Sequence, residues 1–152
     1  MDKRFRIRPI RACDIERILK IEAASFGRDA YDRNLFAEYT RKCGALFLVA
    51  LRGSKVIAYS ITAISADRIG RAAELVSVAV DPAWIGKGAA SALVDSTLRR
   101  LRRRGATRLR LVVKVTNERA LGFYQKYGFR KTRRVARYYE DGADGFSMSK
   151  DL

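Results

Sequence analysis

The sequence predicts a mixed α/β fold of the α+β kind, a single domain over residues 1–152 with about seven strands and about four helices. Three observations predict it. Short runs rich in β-branched and apolar residues, each bounded by turn residues, recur along the chain. Apolar residues at helical spacing fill segments between them. One such run, Ala73–Val80, passes through Asp81-Pro82 and a glycine loop straight into a long basic helix.

Taken in order, Phe5–Ile10 alternates and reads as a first strand, and Asp14 opens a helix carrying Ile15, Ile18, Leu19 and Ile21. A second, short helix is expected from Asp32 to Lys42. Leu46–Leu51, the turn Gly53-Ser54 and Val56–Ile61 form a β-hairpin, and Ala73–Val80 continues that meander. Beyond the glycine loop, Ala90, Leu93, Val94, Thr97, Leu98 and Leu101 share one helical face. Arg99, Arg100 and Arg102–Arg104 crowd the last turns, where cations suit the negative end of the helix dipole, and Gly105 stops the helix. Leu109–Val113 is a strand that a helical crossover can lay parallel to Ala73–Val80. Asn117 begins a helix through Tyr127, closed by Gly128. Two final strands are expected around Arg130–Tyr139 and Phe146–Lys150, with Asp141-Gly142 as turn material.

Composition narrows the chemistry. The 152 residues, 48% of them hydrophobic, suffice for one real core. No stretch approaches the ~18 apolar residues of a membrane span, and Met1–Arg6 lacks the apolar core of a signal peptide. A cytoplasmic protein without membrane contact is expected. Cys13 and Cys43 have no metal-like spacing and read as reduced structural thiols, so no metal site is expected. There is no histidine, which removes Ser-His-Asp and Cys-His nucleophile systems and the usual zinc ligands together. General acid and base work falls to Glu, Asp, Tyr or Lys. The 32 basic residues against 16 acidic give a formal charge of +16, favouring anionic partners such as cofactor phosphates, nucleic acid or the ribosome surface.

The loop Asp81-Pro82-Ala83-Trp84-Ile85-Gly86-Lys87-Gly88-Ala89-Ala90 carries the most specific chemistry. Gly86 and Gly88 permit positive φ and close backbone approach, and the helix that follows leaves its first N–H groups unpaired at a positive dipole end. The loop is either a phosphate cradle or a tight strand-to-helix turn. It lacks the Gly-Lys-Ser/Thr ending of a nucleoside-triphosphate loop, and the stretch where a dinucleotide site wants an acidic residue, Leu101–Leu109, is arginine-rich.

This loop after the fourth strand, followed after the fifth by Asn117-Glu118-Arg119-Ala120-Leu121-Gly122-Phe123-Tyr124-Gln125-Lys126-Tyr127-Gly128-Phe129, resembles the GNAT superfamily of acetyl-coenzyme A-dependent N-acetyltransferases. The resemblance covers nearly the whole chain. Through Ser25-Phe26, Ala30-Tyr31-Asp32 and the tail Arg137–Asp144 it is most similar to the ribosomal-protein alanine N-acetyltransferases and related N-terminal acetyltransferases. It implies a GNAT fold, a twisted mixed sheet splayed between strands four and five, with acetyl-coenzyme A where they part. It also implies direct attack of an amine on the thioester.

Several roles follow from the resemblance. Backbone N–H groups near Val78 and Val80 would bind the acetyl and pantetheine portion, and those of Ile85, Gly86, Lys87, Gly88, Ala89 and Ala90 the pyrophosphate. Glu74 stands where some members carry their general base; the alternatives are an exposed strand carboxylate or a salt-bridge partner for an arginine. Tyr124 matches the tyrosine that protonates the departing thiolate, with helix-face packing as its alternative. Asn117 would help hold the cofactor and start its helix. Tyr138 and Tyr139, read as alternating aromatics of a strand, would line the substrate entrance, with Phe26, Tyr31 and Asp32 on its opposite wall. Two positions depart from the family pattern: Ile85 replaces an Arg or Gln, and Val112 replaces the fifth-strand glutamate of the ribosomal enzymes. The implied acceptor is a protein or peptide N-terminal α-amine. The alternatives are a small-molecule amine or lysine, or a non-catalytic basic module binding ribosomes or RNA. Association with the ribosome through the basic surface, and a monomeric or homodimeric state, complete the expectation.

Overall fold

Hydrogen bonding orders seven strands as β1-β2-β3-β4-β5-β7-β6 in one mixed sheet. The structure, a computed structural model, describes residues 4–27, 30–67 and 70–152. Met1–Lys3, the start of the N-terminal segment Met1–Arg6, lie outside the described residues. The elements run β1 (Arg6–Pro9), α1 (Ile15–Phe26), α2 (Arg33–Cys43), β2 (Phe47–Arg52), β3 (Lys55–Asp67) and β4 (Gly70–Val80). They continue with α3 (Ala89–Arg103), β5 (Ala106–Lys114), α4 (Glu118–Lys126), β6 (Arg130–Val135) and β7 (Gly145–Asp151). The expected element order is borne out. Among the described residues no helix is long and apolar enough to cross a membrane.

The chain divides into two compact units. The first comprises Met1–Ala63 and Leu75–Arg104. Its strand β2 is buried on both faces, and the period of two assigns each residue a side. Phe47, Val49 and Leu51 join Ile18, Ile21, Phe36 and Tyr59 beneath α1 and α2. Leu48 and Ala50 join Phe5, Ile57, Ala58 and Leu93 beneath α3. Each fully buried large side chain contributes about 1.5–3 kcal/mol relative to exposure. Ala89 and Ala92 are small enough to bring the first turns of α3 close onto this layer.

The second unit comprises Ile64–Glu74 and Gly105–Leu152. Here the start of β4 pairs parallel with β5, from Arg71 opposite Ala106 to Glu74 opposite Arg110. Strand β5 buries Leu109, Leu111 and Val113 and pairs antiparallel with β7, placing Leu111 opposite the buried Met148. Strand β6 is almost wholly exposed and carries four cations, which guards it as the outer strand against pairing with other chains.

Four strands differ from the sequence reading, β4 and β5 by starting three residues early, at Gly70 and Ala106. Strand β3 runs on past Ile61 to Asp67, with Thr62 buried within it although it ends the apolar run. Strand β6 stops at Val135, short of Tyr139. Arg137 adopts φ 49°, and the Asp144 carboxylate accepts from the Arg137 N–H (3.0 Å) and Arg134 Nε (2.7 Å), turning the chain out of the ladder.

Candidate active site

In the first unit, β4 ends at an anchored corner. The Asp81 N–H donates to the Ile57 carbonyl at 2.8 Å, and its carboxylate accepts from the Ala83 N–H at 3.0 Å. That backbone donor and the Arg17 guanidinium, paired with the same carboxylate, hold Asp81 below the usual carboxylate range. Arg17 also donates from Nε to the Val56 carbonyl at 2.9 Å, so α1, β3 and the corner are tied by one side chain. Trp84 packs edge-on against Phe5, ring centroids 6.5 Å apart.

The glycine loop then leads into α3 with left-handed backbone at both glycines, φ 79° at Gly86 and 96° at Gly88. Gly88 is the N-cap of α3, no side chain caps this end, and the first turn contains no acidic residue. The leading amides of Ala89 and Ala90 thus open a fifteen-residue helix at its positive end, a geometry suited to phosphate oxygens. Lys87 is exposed beside them, and Ile85 presents an apolar side chain, 44% exposed, where a polar partner is usual in the resemblance. Val78 and Val80 precede the corner on β4 and are half-buried, Val80 packing on the Phe5 and Leu93 layer.

The second unit brings together Glu74, Tyr138, Tyr139 and Val112. Glu74 is exposed at the last residue of β4 paired with β5, with Arg110 opposite. Burial, and then the Glu74 charge, raise the Tyr138 phenol above its ordinary pKa, so the carboxylate and phenol are electrostatic neighbours. Tyr138 and Tyr139 stack edge-to-face at 5.0 Å, but in the turn after β6 and not, as the sequence suggested, as alternating strand residues. The Tyr139 N–H donates to the Ala143 carbonyl (3.2 Å) and the Gly142 N–H to the Tyr139 carbonyl (2.9 Å), with Gly142 at φ 84°. Tyr139 is pushed up to about 12 by burial, with Tyr138 and Asp141 adding to the effect. Its hydroxyl makes a long 3.5 Å contact to the Val112 carbonyl.

Helix α4 supplies the remaining groups of this unit. The Asn117 side chain accepts from the Ala120 N–H at 3.2 Å and caps the helix. Tyr124 lies edge-on to Phe123 (5.2 Å) and Phe129 (5.5 Å), and burial pushes its phenol up to about 12. Its carbonyl accepts from the Tyr127 (3.0 Å) and Phe129 (3.1 Å) N–H groups, which fixes the Tyr-Gly-Phe turn.

The connection between α1 and α2, in the first unit, uses its candidates unequally. Phe26 is 41% exposed. Tyr31 packs on Phe36 (5.9 Å) and Tyr39 (6.0 Å), and Asp32 caps α2 by accepting from the Leu35 N–H at 2.9 Å. Residues 28 and 29 between them lie outside the described residues.

Three groups escaped the sequence reading. Glu22 is buried in α1, accepts from the Tyr31 N–H at 2.9 Å and the Tyr59 hydroxyl, and is raised to about 7 by burial against the opposing Tyr31 bond. It stands four residues after Ile18, on the apolar face, which was the available signal. Gly145 has room for no side chain, since a Cβ there would lie 2.5 Å from Val112 Cγ1 and 3.5 Å from both tyrosines. Lys114 reaches Asp141 at 2.8 Å and lies 5.1 Å from the Tyr139 ring centre, clasping the tyrosine turn to β5.

Comparison with known proteins places this geometry in a family. An N-alpha-acetyltransferase of Saccharolobus solfataricus is 28% identical over 97% of this chain and 93% of that protein. A putative ribosomal protein bS18-alanine N-acetyltransferase of Bacillus subtilis is 28% identical over 97% and 96%. The crystal structure of Ard1 from Thermoplasma volcanium superimposes with a TM-score of 0.90 at 27% identity, covering 98% of both chains. Residues 14–129 match the Acetyltransferase (GNAT) family, and the chain belongs to it.

Proposed function

We propose that this chain moves an acetyl group from acetyl-coenzyme A to the α-amine of a protein or peptide N-terminus. The observation that carries the reading is the β4–α3 loop, where two left-handed glycines lead to an uncapped fifteen-residue helix. Those amides suit a pyrophosphate, and the family and the named relatives supply the acetyl donor and the N-terminal acceptor. The family match runs through segments of both units, which supports one catalytic domain.

In the reaction the amine nitrogen attacks the thioester carbonyl, the C–N bond forms and the C–S bond breaks. The amine loses a proton and the sulfur leaves as a thiolate. We assign the proton acceptor to Glu74, supported by its charge acting on Tyr138; its exposure on β4 is the feature that favours the alternative of a plain strand carboxylate. We assign the thiolate partner to Tyr124. With its pKa near 12 the phenol is protonated throughout the working range. Giving that proton outright to a thiolate of ordinary pKa near 8.5 is uphill, so Tyr124 stabilises the leaving sulfur as a hydrogen-bond donor. Asn117 fixes the start of the helix that carries it. Tyr138, Tyr139 and Phe26 are assigned to the acceptor, and Tyr31 and Asp32 to holding the α1–α2 connection by packing and capping.

The acceptor choice has a chemical basis. Near pH 7.5 about a third of an α-amine of ordinary pKa is neutral and nucleophilic, against about a thousandth of a lysine amine. Free thiols at Cys13 and Cys43 support a cytoplasmic enzyme, and the charge of +16 supports work at the ribosome. The test is thiol release from acetyl-coenzyme A with a panel of unblocked peptides and small amines. Turnover on the peptides is expected. Turnover confined to small amines, or failure to bind acetyl-coenzyme A, would contradict the reading.

A further inference from the structure

A groove of about 300 Å³ runs between β1 and α3, along Ala92 to Arg100, in the first unit. Its floor is a narrow apolar strip, the half-buried Ile7 between Phe5 and Ala92, which show only 6% of their surface each, and its rim is cationic, with Arg6 from β1 and Arg99 and Arg100 from α3. Asp95 is the one carboxylate among the described lining residues. Strand β1 is the outermost strand of the sheet, so the groove follows an edge. The Arg100 Nε donates to Ser96 Oγ at 3.1 Å, which holds this arginine along the helix. Burial, then the charges of Arg104, Arg103 and Arg99, lower its guanidinium from the ordinary value. Cations held this close together are relieved by an anion that meets several at once. The line continues past β1, where the Arg4 guanidinium lies 5.8 Å from the Phe5 ring centre and Arg52 donates to the Arg4 carbonyl at 3.3 Å.

Every cation named here is an arginine, whose planar fork engages two phosphate oxygens together and stacks on flat rings. A single RNA strand offers what this groove can use: phosphates at regular intervals for the rim, and bases or riboses for the apolar floor. A purely acidic chain such as poly-glutamate would satisfy the rim only. We propose that the β1–α3 groove binds single-stranded RNA, with phosphates on Arg6, Arg99 and Arg100 and a base edge or ribose on the strip at Ile7. The inference deepens the ribosome association proposed above, rests on that part of the reading alone, and is independent of acetyl transfer.

The test uses the full chain, a fluorescein-labelled RNA of about 12 unstructured nucleotides and a labelled poly-glutamate of similar charge, followed by anisotropy over a salt series. The Arg6→Gln, Arg99→Gln double variant is expected to weaken RNA binding about tenfold or more. Losing two phosphate contacts also makes its log K against log salt slope shallower by about 1.4. The Arg130→Gln, Arg133→Gln variant on β6, with the same change in net charge, is expected to stay within about threefold. Acetylation of a free peptide is expected to stay within about twofold in both, so loss of the groove and loss of the enzyme are read separately. Equal loss of RNA binding in the two variants would overturn the groove in favour of diffuse charge. Poly-glutamate binding as tight as RNA would overturn it in favour of an acidic protein partner. Groove-dependent RNA binding in a chain that acetylates no peptide would leave this proposal standing and overturn the other.

Discussion

Tyr124, half-buried, and Glu22, buried, are two acids that desolvation keeps protonated. The Tyr124 phenol keeps its proton because burial disfavours the phenolate, and its ring is held by Phe123 and Phe129 independently of its hydroxyl. Tyr124→Phe is therefore expected to lower kcat about 100-fold, with the KM for acetyl-coenzyme A and the melting temperature nearly unchanged. Steady-state kinetics beside a thermal melt checks this, and an unchanged kcat would remove Tyr124 from the chemistry. Glu22, raised to about 7 from 4.5, is neutral in the fold at mildly acid pH and ionised in the unfolded chain. The folded state therefore binds the extra proton between these values, and stability falls as pH rises from about 4.5 through 7. The full difference is on the order of 3 kcal/mol. Glu22→Gln, which can still accept from Tyr31 and donate to Tyr59, is expected to flatten that decline and to be the more stable protein at pH 8. Denaturant midpoints of both proteins at pH 5 and pH 8 measure it.

At the scale of the element, the β4–α3 loop depends on its corner as much as on its glycines. Asp81→Ala removes the acceptor for the Ala83 N–H and the partner of Arg17 together. A cost of about 1–2 kcal/mol in stability and a raised KM for acetyl-coenzyme A are expected, with kcat little affected. Urea unfolding and kinetics in the donor substrate separate the two effects. Gly145→Ala places a methyl against Val112 and the tyrosine turn, and is expected to cost about 1–3 kcal/mol and to raise the KM for the peptide and not for acetyl-coenzyme A. The loop was legible in the sequence because Asp-Pro, two glycines and a helical face are local signals with local causes. The tyrosine turn was not. Its exit from β6 is set by Asp144, seven residues after Arg137, and its fit against β5 by the absence of a side chain at Gly145. Such contacts join positions whose pairing appears only once the register of β5, β6 and β7 is fixed.

For the molecule as a whole, the alternation of buried strands and amphipathic helices fixed the element order, and the two motifs fixed the family. Buried polar residues hid from the same reasoning: Thr62 concealed the length of β3, and Glu22 sat on an apolar face as a carboxylate. Charge acts at this scale too. A chain of +16 is expected to acetylate acidic N-terminal peptides with a higher kcat/KM than basic ones, and the ratio is expected to shrink from low salt to about 0.5 M as screening takes hold. The most direct test of the central claim is transfer from isotopically labelled acetyl-coenzyme A to a peptide that carries both a free α-amine and a lysine, with the label located by fragment mass. The account predicts label on the α-amine, and its disappearance when that amine is blocked. Label on the lysine of the blocked peptide at an undiminished rate would contradict it.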